Sequence, residues 1–413
     1  MNRDQSERYI HSLLEELTPR DAWEFLTDLF LLLCFHARQS AEKPRSLLRE
    51  VSWGLAVREA AQYTGLPLLT NRNPLSGVSL ACLKSVDHMV KQQSESPDST
   101  PAELSALLES LLWEMVRRRL IRDFITPPFL ADMMAQMLDP RPGCTILDPA
   151  CGSGGLLLAA QTQCPGCLPA GVEISRPLAA AAALRLQMSG GTGSNVQRED
   201  FFNLAPGMEG QWDAVLSNPP YNGDPSDTAR FIFGFLQVLK PRGRCVILVP
   251  EGFLSSTARA RANDARRFLL KYHTLEAVVS LPPEIYAPQL TSHSSILIFR
   301  KDREEVRRDV FFSRVLREED PGRAPGDAYL PGIRRVLDFW RRWSAGTALP
   351  GPEEPAWWTV SHEELARGDA IFPAEGGASP YAAHAFRGEA LRRAEERQSA
   401  LESLLSRYIG GTE

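Results

Sequence analysis

The segment Thr145-Ile146-Leu147-Asp148-Pro149-Ala150-Cys151-Gly152-Ser153-Gly154-Gly155, followed by the apolar stretch from Leu156 to Ala160, constrains this chain more than any other. It reads as a buried strand, a glycine turn and the start of a helix. Glycines at 152, 154 and 155 let the backbone approach a ligand closely and let the helix pack against the strand. The N-terminus of that helix suits the carboxylate or phosphate of a nucleotide-like ligand. The next strand, Ala170-Gly171-Val172-Glu173, ends on an acid 21 residues after Gly152, the spacing at which a carboxylate accepts ribose hydroxyls. A third acid, Asp200, follows Asn195-Val196-Gln197 and precedes Phe201-Phe202, an arrangement suited to an adenine ring and its amino group. Each acid alone is most simply a solvated loop residue. Three of them at successive strand ends predict an α/β fold, Rossmann-like, with a mostly parallel twisted sheet.

A second constellation lies about 70 residues further on. The apolar run Trp212-Asp213-Ala214-Val215-Leu216-Ser217 is closed by Asn218-Pro219-Pro220-Tyr221. Two prolines end a buried strand, and in open α/β sheets ligands bind at that end. An amide, a rigidly held proline carbonyl and an aromatic ring facing one pocket suit a flat group that bears an amine. Standing alone, the tetrapeptide is equally a turn after an edge strand.

These two motifs resemble the gamma class of adenine-N6-specific DNA methyltransferases, and above all the modification subunits of type I restriction–modification systems. The similarity runs from Phe124-Ile125-Thr126-Pro127-Pro128 to Leu281-Pro282-Pro283-Glu284-Ile285-Tyr286-Ala287-Pro288 and Ser295-Ile296-Leu297-Ile298-Phe299. The resemblance implies a class I fold dependent on S-adenosylmethionine. It implies that Phe124, Thr126 and Pro127 hold the methionine end of the cofactor, alongside Asp148, Ala150, Gly152, Ser153, Gly154 and Gly155. Glu173, Asp200, Phe201 and Asn218 complete the cofactor set. It further implies that Asn218, Pro219 and Pro220 engage the target amine. Tyr221 and Tyr286 would be the two aromatic walls around an adenine flipped out of double-stranded DNA.

Cysteine-based methylation of a ring carbon needs a thiolate where Asn218 to Tyr221 stand, and no cysteine is there. Cys151 reads as a small buried residue. The seven cysteines fall at 34, 82, 144, 151, 164, 167 and 245. The lone Cys164-Pro165-Gly166-Cys167 pair reads as structural, and no metal is expected. Scattered thiols without a signal peptide indicate the cytoplasm. Leu29 to Phe35 is apolar over only seven residues, so it reads as a buried helix and no membrane contact is expected.

Along the chain we expect an N-terminal helical domain (1–120, with a polar linker near 91–102), a catalytic domain (121–302) and a C-terminal region (303–413). The last would end in an amphipathic helix over 388–408 that packs internally or meets a partner helix. Net charge is −5, unusual for a protein that grips DNA unaided. Eight Lys/Arg between Lys240 and His273 stand against two acids, and a helix from Ala258 to Tyr272 is expected to turn several arginines outward. The region after the motifs is short for a target-recognition domain, so a separate specificity subunit is expected to read the DNA sequence. Whether a restriction subunit accompanies it is left open. Two other readings stand beside this one. The first is a methyltransferase acting on a protein glutamine amide or an RNA base; the second is a non-catalytic DNA-binding subunit that keeps the fold.

Overall fold

The computed structural model describes residues 125–190, 195–220, 225–255, 260–286, 293–302, 309–317, 327–347 and 357–367, together with isolated positions 25, 28, 29, 62, 108, 109, 112, 113 and 116. Phe124, Tyr221, the linker near 91–102 and the helix over 388–408 lie outside the described residues. Among the described residues no helix is long and apolar enough to cross a membrane.

Nine strands form one sheet among these residues: β1 Thr145–Asp148, β2 Leu168–Val172, β3 Val196–Gln197, β4 Trp212–Ser217, β5 Leu239–Pro250, β6 Thr274–Leu281, β7 Ser294–Arg300, β8 Asp309–Arg314 and β9 Trp357–Ser361. Their order is β3-β2-β1-β4-β5-β7-β6-β8-β9. The first five neighbours pair in parallel, β7 runs antiparallel to both β5 and β6, β8 is parallel to β6, and β9 closes the edge antiparallel to β8. The expected α/β architecture is therefore the one observed.

Alternation along the strands divides the core in two. In β5, Val246 and Leu248 face one layer while Cys245, Ile247 and Val249 face the other. The first layer holds helices α1 (Pro128–Leu138), α2 (Gly155–Gln163) and α8 (Leu330–Ser344); the second holds α4 (Phe201–Leu204), α5 (Pro225–Val238), α6 (Glu251–Ser255), α7 (Ala260–Tyr272) and α9 (His362–Arg367). Helix α3 (Arg176–Met188) packs through Ala182 and Leu186 against Cys151 and Leu157. Polar ties fix the strands at the end away from the cavity described below. Thr145 Oγ1 donates to Asp213 Oδ2 at 2.7 Å, and Lys240 Nζ reaches Asp213 Oδ1 at 2.8 Å, joining β1, β4 and β5.

Two features go beyond the expectations. The sheet does not stop at the boundary expected after residue 302, because β8 and β9 extend it. Val310, Phe311 and Phe312 are all but fully buried, and Trp340 of α8 donates its indole N–H to the Met137 carbonyl at 3.1 Å. Burial of these aromatics binds β8 and α8 to the core of the sheet. The basic helix also differs in part. Arg261 and Arg267 are exposed on α7, but Arg266 is 1% exposed and donates inward to the Phe253 carbonyl and to Asn263.

Candidate active site

Between β1 and β4 the strand order reverses direction, so the crevice beyond their C-terminal ends is the topological switch point of the sheet. The register Leu147↔Val215 brings Asp148 and Ser217 out side by side. Ser217 Oγ donates to Asp148 Oδ1 at 2.7 Å, and the Ala150 N–H donates to the same oxygen at 3.2 Å. Asp148 is 1% exposed. Burial pushes its carboxyl up to about 7, with the nearby Glu173 adding to the rise; the two hydrogen bonds, which favour the anion, oppose it.

The glycine turn follows at once. Gly152 and Gly154 have φ of 54° and 82°, left-handed values that L side chains resist. A Cβ on Gly154 would lie 3.1 Å from the Cα of Ala182, so the turn also presses directly on α3. Glu173, at the end of β2, braces the turn from the next strand. Its Oε2 accepts from the Gly152 N–H at 2.9 Å and its Oε1 from the Ser175 N–H at 2.7 Å. This bracing fixes the carboxylate at the rim of the cavity described below. Close by, Gly171 of β2 makes room for Cys151: a Cβ there would come within 2.6 Å of the cysteine sulfur. Cys151 is buried and its thiol pushed well up by that burial, the opposite of a nucleophile's environment.

Asp200 caps the short helix α4, accepting from the Phe202 N–H at 2.9 Å. Phe201 and Phe202 lie against Phe231 of α5 at centroid distances of 6.5 and 5.0 Å. The Arg230 guanidinium stands over the Phe202 ring at 3.6 Å. A cavity of about 620 Å³ opens between these aromatics and the turn, lined by Ala150, Gly152, Glu173, Ile174, Asp200, Phe201, Asn218, Pro219 and Pro220 among others. That volume is ordinary for a site that encloses a cofactor.

At the far side of this cavity Asn218 follows the last residue of β4. Its Nδ2 donates to Thr126 Oγ1 at 3.0 Å, while its Oδ1 is buried with no hydrogen-bond partner among the described residues. A buried acceptor left open costs free energy, of the order of 1–3 kcal/mol, and so points to a donor that arrives with a ligand. Thr126, Asp148, Cys151, Ser153 and Gly155 line a second, narrow cleft of about 20 Å³ that also touches Asn218. The two spaces thus meet at Ala150, Gly152 and Asn218.

Most of the residues singled out by sequence are therefore gathered around one crevice: Thr126, Asp148, Ala150, Gly152, Ser153, Gly155, Glu173, Asp200, Phe201, Asn218, Pro219 and Pro220. Pro127 stands just behind as the N-terminal cap of α1, and its carbonyl accepts from the N–H groups of Leu130 and Ala131. Tyr286 is the exception. It is fully buried in the core beside α1 with its hydroxyl 3.5 Å from Ser294 Oγ, so in this arrangement it is a packing residue and not a wall of the cavity.

Sequence reasoning passed over Arg185. This residue of α3 is 1% exposed. Its Nη1 donates to the Ser153 carbonyl at 2.8 Å, and its Nη2 reaches Glu109 at 2.7 Å. It holds the glycine turn from beneath. The signal was a lone charge in the apolar helix Leu178-Ala-Ala-Ala-Ala-Ala-Leu184-Arg185-Leu186, three and four residues from the buried Ala182 and Ala181.

Comparison with known proteins agrees with this geometry. The model of the N-6 DNA methylase family matches residues 104–323. The type II restriction enzyme and methyltransferase RM.BcgI of Heyndrickxia coagulans is 26% identical over 184 residues, covering 39% of this chain and 29% of that protein. The type I restriction enzyme EcoEI methylase subunit of Escherichia coli is 23% identical over 209 residues, covering 43% of this chain and 42% of the subunit. The chain thus matches less than half the length of these curated relatives. Among solved structures, a chain from a type I R-M system superposes with a TM-score of 0.67 at 19% identity, with both chains fully covered. The type I restriction-modification methyltransferase subunit of Streptococcus thermophilus gives 0.61 at 17% identity, covering 88% of this chain and 96% of that one. At such identities the structures speak for the fold alone.

Proposed function

Since this chain belongs to the N-6 DNA methylase family, we propose that it transfers a methyl group from S-adenosylmethionine to the exocyclic N6 of adenine in DNA, as the modification subunit of a restriction–modification system. The observation that carries this reading is the open acceptor at Asn218, buried at the switch point and shared by the two cavities. It offers a place for one N–H of a planar amine. The carbonyl of Pro219, stiffened by Pro220, is the second acceptor.

An exocyclic amine of adenine is a poor nucleophile because its lone pair is delocalised into the ring. Two acceptors that engage both its N–H groups draw the nitrogen toward a tetrahedral shape and localise that lone pair. Hydrogen bonds that strengthen as the nitrogen gains positive charge stabilise the transition state more than the ground state, which raises the rate and not merely the affinity. When bound, S-adenosylmethionine supplies the electrophilic methyl group. The residues present fit it. Glu173 lines the cavity with a carboxylate of the kind that accepts ribose hydroxyls, and Asp200, Phe201 and Ile174 border the space for an adenosyl ring. Asp148, Thr126 and Gly152 border the cleft for the amino-acid end. Pro219 and Pro220 complete the amine side of the cavity, next to Tyr221 in the sequence.

The relatives' names, methylase subunit and restriction enzyme, together with a net charge of −5, support a separate specificity subunit that supplies the sequence-reading surface. The test is methyl transfer from labelled S-adenosylmethionine, offered in parallel duplex DNA, RNA and a glutamine-bearing peptide, with and without the product of the neighbouring gene. Label entering DNA only supports the reading. Label entering the peptide or the RNA but not the DNA overturns it, and no cofactor binding by calorimetry would leave a non-catalytic subunit.

A further inference from the structure

The hydrogen bond from Asn218 Nδ2 to Thr126 Oγ1 joins residues 92 positions apart, tying the entry to α1 to the end of β4. A primary amide is nearly isosteric when turned by half a revolution, so its shape alone does not fix which end faces the cavity. The chemistry proposed above tolerates only one choice. With Nδ2 toward the cavity, Asn218 would present donors to an amine that is itself a donor.

We propose that Thr126 is the positioning residue for Asn218: its Oγ1 takes the amide N–H and so keeps Oδ1 facing the bound amine. Three observations carry this. The bond is 3.0 Å long, within the normal range for N–H···O. The opposite end of the same amide is the buried acceptor left without a partner among the described residues. Thr126 is itself held in place, because Pro127 follows it and disfavours helical backbone at Thr126. Its neighbour Ile125 is 4% exposed. A hydroxyl that accepts from Asn218 keeps its own proton to give. Thr126 also borders the narrow cleft beside Asp148 and Gly152. An anionic ligand group in that cleft would accept a hydrogen bond from this hydroxyl and commit its oxygen to the acceptor role toward Asn218. Thr126 would thereby link occupancy of the amino-acid end of the cofactor site to the orientation of the amide.

The proposal rests on the methyltransferase reading for its consequence but not for its test. In protein labelled with ¹⁵N-asparagine, the Asn218 side-chain NH₂ pair is identified as the signal missing from Asn218→Ser. Thr126→Val, which is isosteric but has no hydroxyl, should shift or broaden that pair while the other asparagine signals stay in place. Thr126→Ser should restore it. Adding S-adenosylhomocysteine should sharpen the pair in the wild type and in Thr126→Ser, and not in Thr126→Val. In turnover, Thr126→Val should lower kcat by up to about a hundredfold, the scale of misplacing a reacting group by about 1 Å, while the Kd for S-adenosylhomocysteine changes less. Asn218 signals that are the same in Thr126→Val and wild type would overturn the proposal. So would a kcat untouched by the valine substitution, or a serine variant as impaired as the valine one. A wild type that transfers no methyl group would sink the functional reading, while the resonances would still decide the role of Thr126.

Discussion

Replacing Asp148 by Asn should stabilise the free protein at alkaline pH, although it removes a motif residue. The Asp148 carboxyl is fully buried and pushed from 3.8 to about 7. Below pH 3.8 the folded and unfolded chains both hold its proton, so pH has no leverage there. Between about 4 and 7 the folded chain keeps a proton that the unfolded chain has released. Stability therefore falls as pH rises through this window and levels off above about 7. At 1.36 kcal/mol per unit the full loss is about 4 kcal/mol, as an order of magnitude. Asparagine matches the neutral acid in shape, and its Oδ1 can still accept from Ser217 and Ala150. Relative to their difference below pH 3.8, Asp148→Asn should then gain about 1 kcal/mol over wild type in urea unfolding at pH 4.5 and up to about 4 kcal/mol at pH 8.5. Equal gaps at both pH values, or a variant less stable at pH 8.5, would refute the burial argument.

If Asp148 meets the ammonium of the cofactor, the Kd of the wild type for S-adenosylhomocysteine should fall up to tenfold per pH unit on the way to about 7 and then level off, as calorimetry across pH 5.5–8.5 would show. Asp148→Asn should bind weakly with a flat profile. Gly171→Ala drives a methyl group into Cys151 and Leu157 and should destabilise the fold by about 1–3 kcal/mol, with Cys151→Ala recovering part of the loss in thermal unfolding. Arg230→Ala uncovers the Phe202 ring. Losing this intramolecular cation–π contact should lower the unfolding free energy by about 0.5–1 kcal/mol in urea, and an unchanged unfolding midpoint would count against it.

The strands that build the site were legible because each is a short apolar run ended by a breaker or an acid: Thr145–Asp148 before Pro149, Trp212–Ser217 before Asn218. Glycines 152 and 154 were readable because only their conformational freedom suits a tight turn. Strands β8 and β9 were not, since their apolar residues sit between charged stretches and their burial depends on partners distant in sequence, α8 on one face and the second layer on the other. Arg185 and Arg266 escaped for a related reason. Charge on a helix is expected to face water, yet Arg266 shares a stripe with Ala262 and Leu269, both buried, and carries its own partners inward. Tyr286 shows the limit of motif transfer. Its place in a Pro-rich segment was read as a base-stacking wall, but the ring is fully buried in the core cluster that also holds residues of α1, β6 and β7. The bond from Asn218 to Thr126 links two motifs that were each visible, although spacing alone could not pair their atoms.

The central claim is that Asn218 directs a methyl group to the N6 of adenine. Its most direct test is nucleoside mass spectrometry of DNA from cells that make the protein together with its neighbouring gene product, comparing wild type with Asn218→Ala. N6-methyladenine in the wild type, lost in the alanine variant while cofactor binding stays within a few-fold, is the predicted result. Methylation that persists without the amide, or that falls on cytosine, would contradict it.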